Sequence, residues 1–390
     1  MSSRESGSVL ILGSEPSAFS CAFSLLEAGL QVQHIYLSPL GVLGASRDIG
    51  LAYPELGEPY ERILYSLGED LALEYHSWAR CGIEDLQARL GEFGRRGSRL
   101  FLTRTESEAK LVADDAILRS KPPVSDELRL MSGAAASNFV PVDGANQGTF
   151  ETHALAFTPV RALEELSRQL LEYPLYKLTA LETVSDWEQL QLECRCDDVQ
   201  AKISQDKVLT GDLVVVCAGV ETSRLAGSLS QVLVPILGQA FRTPPLKEKM
   251  RTSVLGVTAS WGYEKYRFDD NFRLLACGIE PNHSEGKATA SVDEASLARF
   301  AKRASGLFTD FDGTTENLMK WGVVFTASCD GLPVLGPMIG EPKIYVASGF
   351  STSAWSKGWE AGRRVARALL GEEQGRNSML KRCSVQRFGI

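Results

Sequence analysis

The residues with the clearest chemical potential follow the apolar run Val9–Leu12: Gly13, Ser14, Glu15, Pro16, Ser17 and Ala18. A strand that turns sharply into a helix presents unpaired backbone N–H groups, and the positive end of the helix dipole favours a phosphate there. In dinucleotide-binding turns the first glycine makes the tight bend. The second lets the backbone approach the pyrophosphate, and the third lets helix and strand pack closely. Here Gly13 fills the first place, Glu15 the second and Ala18, an accepted small substitute, the third. Glu15 is the anomaly. Like charges about 4 Å apart repel by roughly 1 kcal/mol in water-like surroundings and several times more when dehydrated. A carboxylate turned outward would escape most of that repulsion. Tyr36 ends the next strand, where an acidic residue would bind ribose hydroxyls, and its phenol offers one weaker hydrogen bond. Taken alone, this segment fits both a ligand-free βαβ unit and a worn dinucleotide site.

Other candidates are scattered. Asp330-Gly331-Leu332-Pro333 predicts a tight turn, and Gly349 ends an apolar run before a loop containing Ser351 and Ser353. Tyr263, Lys265 and Tyr266 share a strand-like stretch, where Lys265 reads either as a pocket residue or as a solvated one. Phe325, Phe350, Trp355 and Trp359 fit apolar pocket walls or core and rim packing equally well. His76 and His153 lack a partner pattern and read as structural, and Cys329 as a small buried hydrophobe. The eight cysteines form no CxxC pair and no Cys/His cluster, so a metal site is not expected.

The elements that must position these residues alternate along the chain. At 390 residues, two domains are expected. A net charge of -8 leaves no basic surplus for nucleic acid. With no signal-peptide pattern and no membrane-length apolar run, the expectation is a cytoplasmic, reduced protein. Strand Val9–Leu12, helix Ser17–Ala28 and strand Val32–Leu37 open the chain, and "ERILYSLGEDLALEYHSWARC" has unbroken helical spacing. "SDELRLM" reads as a short helix and "WEQLQLECRC" as a strand. Leu213–Cys217 is a continuous apolar run, the mark of a strand buried on both faces in a parallel sheet. The fold class expected is α/β, a Rossmann-like nucleotide domain interleaved with a β-rich α+β domain. The nucleotide domain is drawn from 1–80, 150–225 and 325–372, the second domain from 81–149 and 226–324, and 373–390 is a tail.

Several segments together resemble the D-amino-acid oxidase/glycine oxidase family of flavoproteins, which includes sarcosine oxidases. "GASRDIGLAYP" resembles the family's Ser-rich segment after the second strand, placing Ser46 and Arg47 at the ligand. "GDLVVVCAGVETSRLAG" resembles its strand and turn at Gly219, and "VPILGQAFRTPP" its entry into the substrate sheet. "SCDGLPVLGPMIGEPKIYVASGFSTSAWSKGWEAGRRVARALLGE" resembles its ending. The resemblance implies a glutathione-reductase-type fold and non-covalent, extended FAD. The residues it points to are Gly13, Ser14, Glu15, Ala18, Tyr36, Ser46, Arg47, Gly219, Gly349, Phe350, Ser351 and Ser353. It also implies hydride transfer from an amine or amino-acid-like C–N bond, with oxygen or another acceptor, and pocket residues among Phe325, Phe350, Lys265, Tyr263 and Tyr266. The sequence departs from the family at Phe325, which stands in place of the arginine that clamps a substrate carboxylate. It departs again at Phe350 for a histidine and Ala354 for a glycine. Two readings follow: an oxidoreductase with an atypical substrate, or a flavin-poor pseudoenzyme serving as a partner subunit or scaffold, with a homo-oligomer also open.

Overall fold

The computed structural model describes residues 7–38, 40, 44–55, 57–142, 145–204, 207–246, 253–279, 290–372 and 378–389. The chain divides into two compact units, one of residues 1–47, 160–236 and 324–390, the other of 48–159 and 237–323. Two boundaries fall inside strands, Leu233–Arg242 and Met319–Ser328. Residues 48–80 and 150–159, drawn with the nucleotide domain by sequence, lie in the second unit, and 226–236 in the first. The supposed tail belongs to the first unit. Helix Met379–Arg382 buries Met379 and Cys383, and Arg387 grips the Asp330 carboxylate through Nε (2.7 Å) and Nη2 (2.9 Å).

The first unit is a six-stranded sheet in the order Val334–Met338, Glu341–Ser348, Leu213–Val216, Ser8–Leu12, Gln31–Leu37, Tyr176–Leu181. All pairings are parallel except that of the 334–338 edge strand, with Leu10 opposite Val214 and Val9 opposite Val32. The apolar runs at 9–12 and 213–217 form its centre because both faces are covered. Helix Pro16–Glu27, from Pro16 through Phe23, is buried all round, which explains its Ser/Ala/Phe composition. It packs on helix Trp359–Leu369 at Gly362, where any Cβ would overlap the Ser17 carbonyl.

In the second unit, a sheet is built around the pairings of Arg95–Thr103 with Gln147–Ala156 and of Gly256–Ala259 with Glu264–Phe268. Its two faces differ. One packs Phe241, Val257, Tyr266 and Ala276 on Phe300 and Phe308 at helix Glu294–Ser305, with Tyr266 and Phe308 rings 5.1 Å apart. The other carries Arg99, Glu151, Thr258, Lys265 and Cys277, all buried. Period-two alternation puts both sets on the same strands.

Three local expectations change. Gly68 (φ +79) splits the long helix into Tyr60–Leu67 and Glu69–Leu90. Residues Leu128–Ser132 form a strand against Gln147–Ala156, where tertiary pairing overrides helical propensity. The strand assigned to "WEQLQLECRC" begins only at Gln191, because Thr183 caps a helix over Val184–Gln189. A helix at Glu106–Arg119, unassigned from sequence, starts with Thr105 Oγ1 accepting from Glu108 N–H (3.2 Å).

That helix delivers Arg119 into the second unit, where its guanidinium meets Glu151 (2.6 Å) and Asp126 (2.6 Å) with all three side chains buried. Replacing Arg119 by Met removes the cation that Glu151 and Asp126 share, leaving Glu151 with Arg99 and Asp126 with His76 and Arg80. The expected cost is at most about 3–5 kcal/mol in urea or thermal unfolding. Arg168→Ala removes an exposed pair with Glu165 and Glu172 and is expected to leave the unfolding midpoint essentially unchanged.

Candidate functional site

The turn after the first strand is held by an unexpected residue, His34. Its Nε2 lies 2.7 Å from the Gly13 carbonyl and its Nδ1 3.0 Å from the Tyr176 hydroxyl. A carbonyl can only accept, so Nε2 carries the proton and Nδ1 accepts from the phenol. Burial drives the His34 pKa down to about 4, so the ring is neutral. Gly13 has φ +117, and a Cβ there would overlap the Cys217 carbonyl, so only glycine lets the turn meet that strand end. Alternation in "QVQHIYL" placed His34 on a strand, and only its distance from any partner in sequence hid its role.

Glu15 does not turn outward. The residue is half-buried, and its carboxyl lies between Gly44 (φ +59) and Gly219 (φ +56), accepting a hydrogen bond from Ala45 N–H at 3.2 Å. A Cβ on Gly44 would overlap the carboxyl, and one on Gly219 would come within 2.7 Å of it. Desolvation pushes the Glu15 pKa from 4.5 up to about 7, with the Ala45 hydrogen bond opposing. Tyr36 is also corrected. Its phenol is buried and bonded to Ser167 Oγ at 2.7 Å, so it braces the helix beginning at Pro159 and is not free for a ribose.

A cavity of about 20 Å³ gathers Glu15, Gly219, Phe325, Gly349, Phe350 and Ser351. That is room for about one water. Sequence candidates from three distant segments thus converge, and no Lys or Arg lines this cavity among the described residues. Gly349 has φ +81 and Ser351 φ +51, an uncommon left-handed conformation for a serine. Ser353 Oγ donates to the Phe350 carbonyl (2.6 Å), and Phe350 packs on Gly358. Trp355 and Trp359 are not cavity walls. Trp355 Nε1 donates to the Ala45 carbonyl (3.1 Å), supporting the 44–47 turn that holds the buried Ser46, and Trp359 packs in the core beside Phe23. Arg47, on that turn, has its pKa lowered by burial. Ser14 is half-buried, Ala18 fully buried. Cys329 is exposed, against expectation, because it sits in the turn whose carboxylate Arg387 holds.

Within the second unit, Lys265 is buried and lies 3.4 Å from Asp48 and 3.6 Å from Glu55. Burial opposes its charge, but the two carboxylates outweigh that and hold its pKa above the usual lysine value. Tyr266 sits on the opposite, apolar face, with its hydroxyl 2.6 Å from Glu264, so it lines no pocket on the Lys265 face. Tyr263 is 42 % exposed at a strand end. Arg267, two residues beyond Lys265, has a buried Nε without a hydrogen-bond partner. A larger cavity of about 50 Å³ is lined by Tyr53, Glu55, Arg99, Arg119, Thr149 and Glu151 among others. Among the described residues no group of acids, cysteines and histidines fits a metal, and no helix is long and apolar enough to cross a membrane.

This fold is shared with solved flavoenzymes at low identity. L-proline dehydrogenase from P. horikoshii matches with a TM-score of 0.78 at 16% identity, covering 99% of this chain and 98% of that one. Glycine oxidase from Geobacillus kaustophilus gives 0.75 at 16%, covering 95% and 96%. Fructosyl amine:oxygen oxidoreductase (Amadoriase I) from Aspergillus fumigatus gives 0.76 at 13%, covering 97% and 89%. A search of curated protein sequences found no match. The family described as FAD dependent oxidoreductase matches residues 18–368, and the chain belongs to it. That is the D-amino-acid oxidase family its motifs resemble, and its members are FAD-dependent oxidoreductases.

The backbone fits such a cofactor: the Gly13 turn, the free end of helix Pro16–Glu27 and the positive-φ glycines at 44, 219 and 349 leave room for close approach. One side chain does not, and it is Glu15. The folded state binds a proton at Glu15 more tightly than the unfolded chain, so stability is present below pH 4.5 and falls as pH rises toward 7. Glu15→Gln removes this loss. Thermal unfolding is expected to show the variant about 1–3 kcal/mol more stable than the parent at pH 8, with the gap closing at pH 5.

Proposed function

We propose that the protein is an FAD-dependent oxidoreductase that oxidises the C–N bond of a small amine lacking an α-carboxylate or carrying an apolar group. The observation that carries this reading is Phe325, buried in the place of the family's carboxylate-binding arginine and beside a cavity that no Lys or Arg lines among the described residues. A substrate carboxylate beside Phe325 would find no cation in that lining. Forgoing a bidentate charge-assisted pair in a buried site costs about 2–5 kcal/mol in discrimination. FAD, when bound, accepts the hydride from the carbon next to a neutral nitrogen.

The chain's own residues would serve this chemistry by position more than by proton transfer. Gly13, Ala18, Ser46, Gly219 and Gly349 would hold the cofactor through backbone N–H groups and close approach. Phe325 and Phe350 would exclude water and orient an apolar amine. The fructosyl amine:oxygen oxidoreductase of the same fold supports both an amine as the substrate class and oxygen as the acceptor.

A second reading rests on Arg267. Its unpartnered Nε makes it the candidate for a carboxylate clamp moved to another strand. Anaerobic reduction of the flavin-loaded protein by glycine, sarcosine, D-alanine, proline and benzylamine separates the two. Benzylamine is expected to reduce fastest, and the α-amino acids slowly or not at all. Fast reduction by D-alanine that disappears in Arg267→Leu would establish the moved clamp instead. Absence of an absorption band near about 450 nm after incubation with excess FAD would favour a flavin-free scaffold.

A further inference from the structure

We propose that the Glu15 carboxyl is an internal stand-in for the cofactor's phosphate, occupying the crevice that Gly44 and Gly219 open beside the first helix and having to be displaced before FAD is held. This rests on the flavin reading above and names the residue that sets how tightly the flavin is kept.

Three observations place the carboxyl there. Glu15 directly precedes helix Pro16–Glu27, where a dinucleotide turn has the glycine that lets the pyrophosphate approach. Its carboxyl takes the Ala45 N–H and is enclosed by Gly44 and Gly219, two glycines whose missing side chains make room for it. Pro16 removes one backbone donor from the same turn, so the site is furnished for a carboxyl rather than for two phosphates. Among the described residues no other acid competes within the cavity, since Glu15 is the one titratable side chain in that lining. The helix has no acidic residue in its first turn. The 44–47 turn contributes Arg47, and the 217–221 segment contributes Cys217, whose pKa burial raises, and Glu221, paired with Arg224 at 2.7 Å. The strand at 324–326 and the 349–354 loop bring no titratable side chain to the cavity.

Burial holds the carboxyl in its neutral form, and displacing it into water returns it to an ordinary carboxylate, so FAD binding releases a proton. FAD binding by the parent should therefore strengthen as pH rises toward about 7, the value to which burial lifts Glu15, and level off above it. The test is FAD affinity, read from quenching of flavin fluorescence, for the apo parent, Glu15→Gln and Glu15→Gly between about pH 6 and 8.5, a range that brackets that titration. At the acid end Glu15→Gly is expected to bind FAD at least on the order of tenfold more tightly than the parent. Glu15→Gln should lose the pH dependence and bind no more tightly than the parent does at the acid end. If Glu15→Gly does not fold, as judged by cooperative unfolding, the near-isosteric Gln variant carries the test alone. Equal affinity of parent and variants at every pH, with FAD bound tightly throughout, overturns the stand-in and leaves the flavin reading intact. Failure of all three proteins to bind FAD overturns both.

Discussion

A carboxyl group buried where three chain segments meet governs the crevice of the first unit. The helix that begins at Pro16, the turn over 44–47 and the strand end at 217–219 approach one another closely, and the approach is possible because glycines stand at 44 and 219. Their backbones settle around the Glu15 carboxyl, and Trp355 from a distant segment supports the same turn through the Ala45 carbonyl. His34 fixes the other side of the arrangement by holding the Gly13 carbonyl. Desolvating an acid is unfavourable, and one backbone hydrogen bond offsets only part of that penalty. The part left uncompensated is what lifts the carboxyl's pKa to about 7.

The second unit solves a different problem. Its sheet has an apolar face covered by a helix and a polar face that is buried as well. Three cations survive there because they are paired: Arg99 with Glu151 at 2.5 Å, Lys265 with Asp48 and Glu55, Arg119 with Glu151 and Asp126. Buried ion pairs contribute little net stability but strongly penalise any rearrangement that separates them. The polar face is accordingly a stiff surface, suited to holding a side chain such as Lys265 at one place and in one charge state.

Much of the fold was legible because parallel strands buried on both faces write long apolar runs, as at 9–12 and 213–217. The convergence of Gly13, Gly219, Gly349, Phe325 and Phe350 could also be inferred from ordered motifs. The direction of the Glu15 side chain could not, since it depends on Gly44 and Gly219, which arrive from segments far along the chain. Lys265 reads as a solvated strand residue until Asp48 and Glu55 are seen to arrive from a segment far earlier in the chain. The Glu106–Arg119 helix had a signal, Thr105 followed three residues later by Glu108, which the loop-rich composition beyond it obscured. The 60–90 helix was broken by Gly68, a residue whose left-handed backbone is invisible to hydrophobic periodicity.

The parallel register of the first sheet has a consequence for how the chain is made. The strand at 8–12 pairs with 213–216, and that strand in turn pairs with 344–346, so the unit's centre is assembled from segments synthesised far apart. At roughly 5–20 residues per second, the first strand and the helix after it wait on the order of 10–40 s for their central neighbour to emerge. The second unit's 48–159 portion leaves the ribosome during that interval. Early synthesis is therefore a period of exposed strand edges, and the chain's need for protection from aggregation is greatest before its middle has been translated.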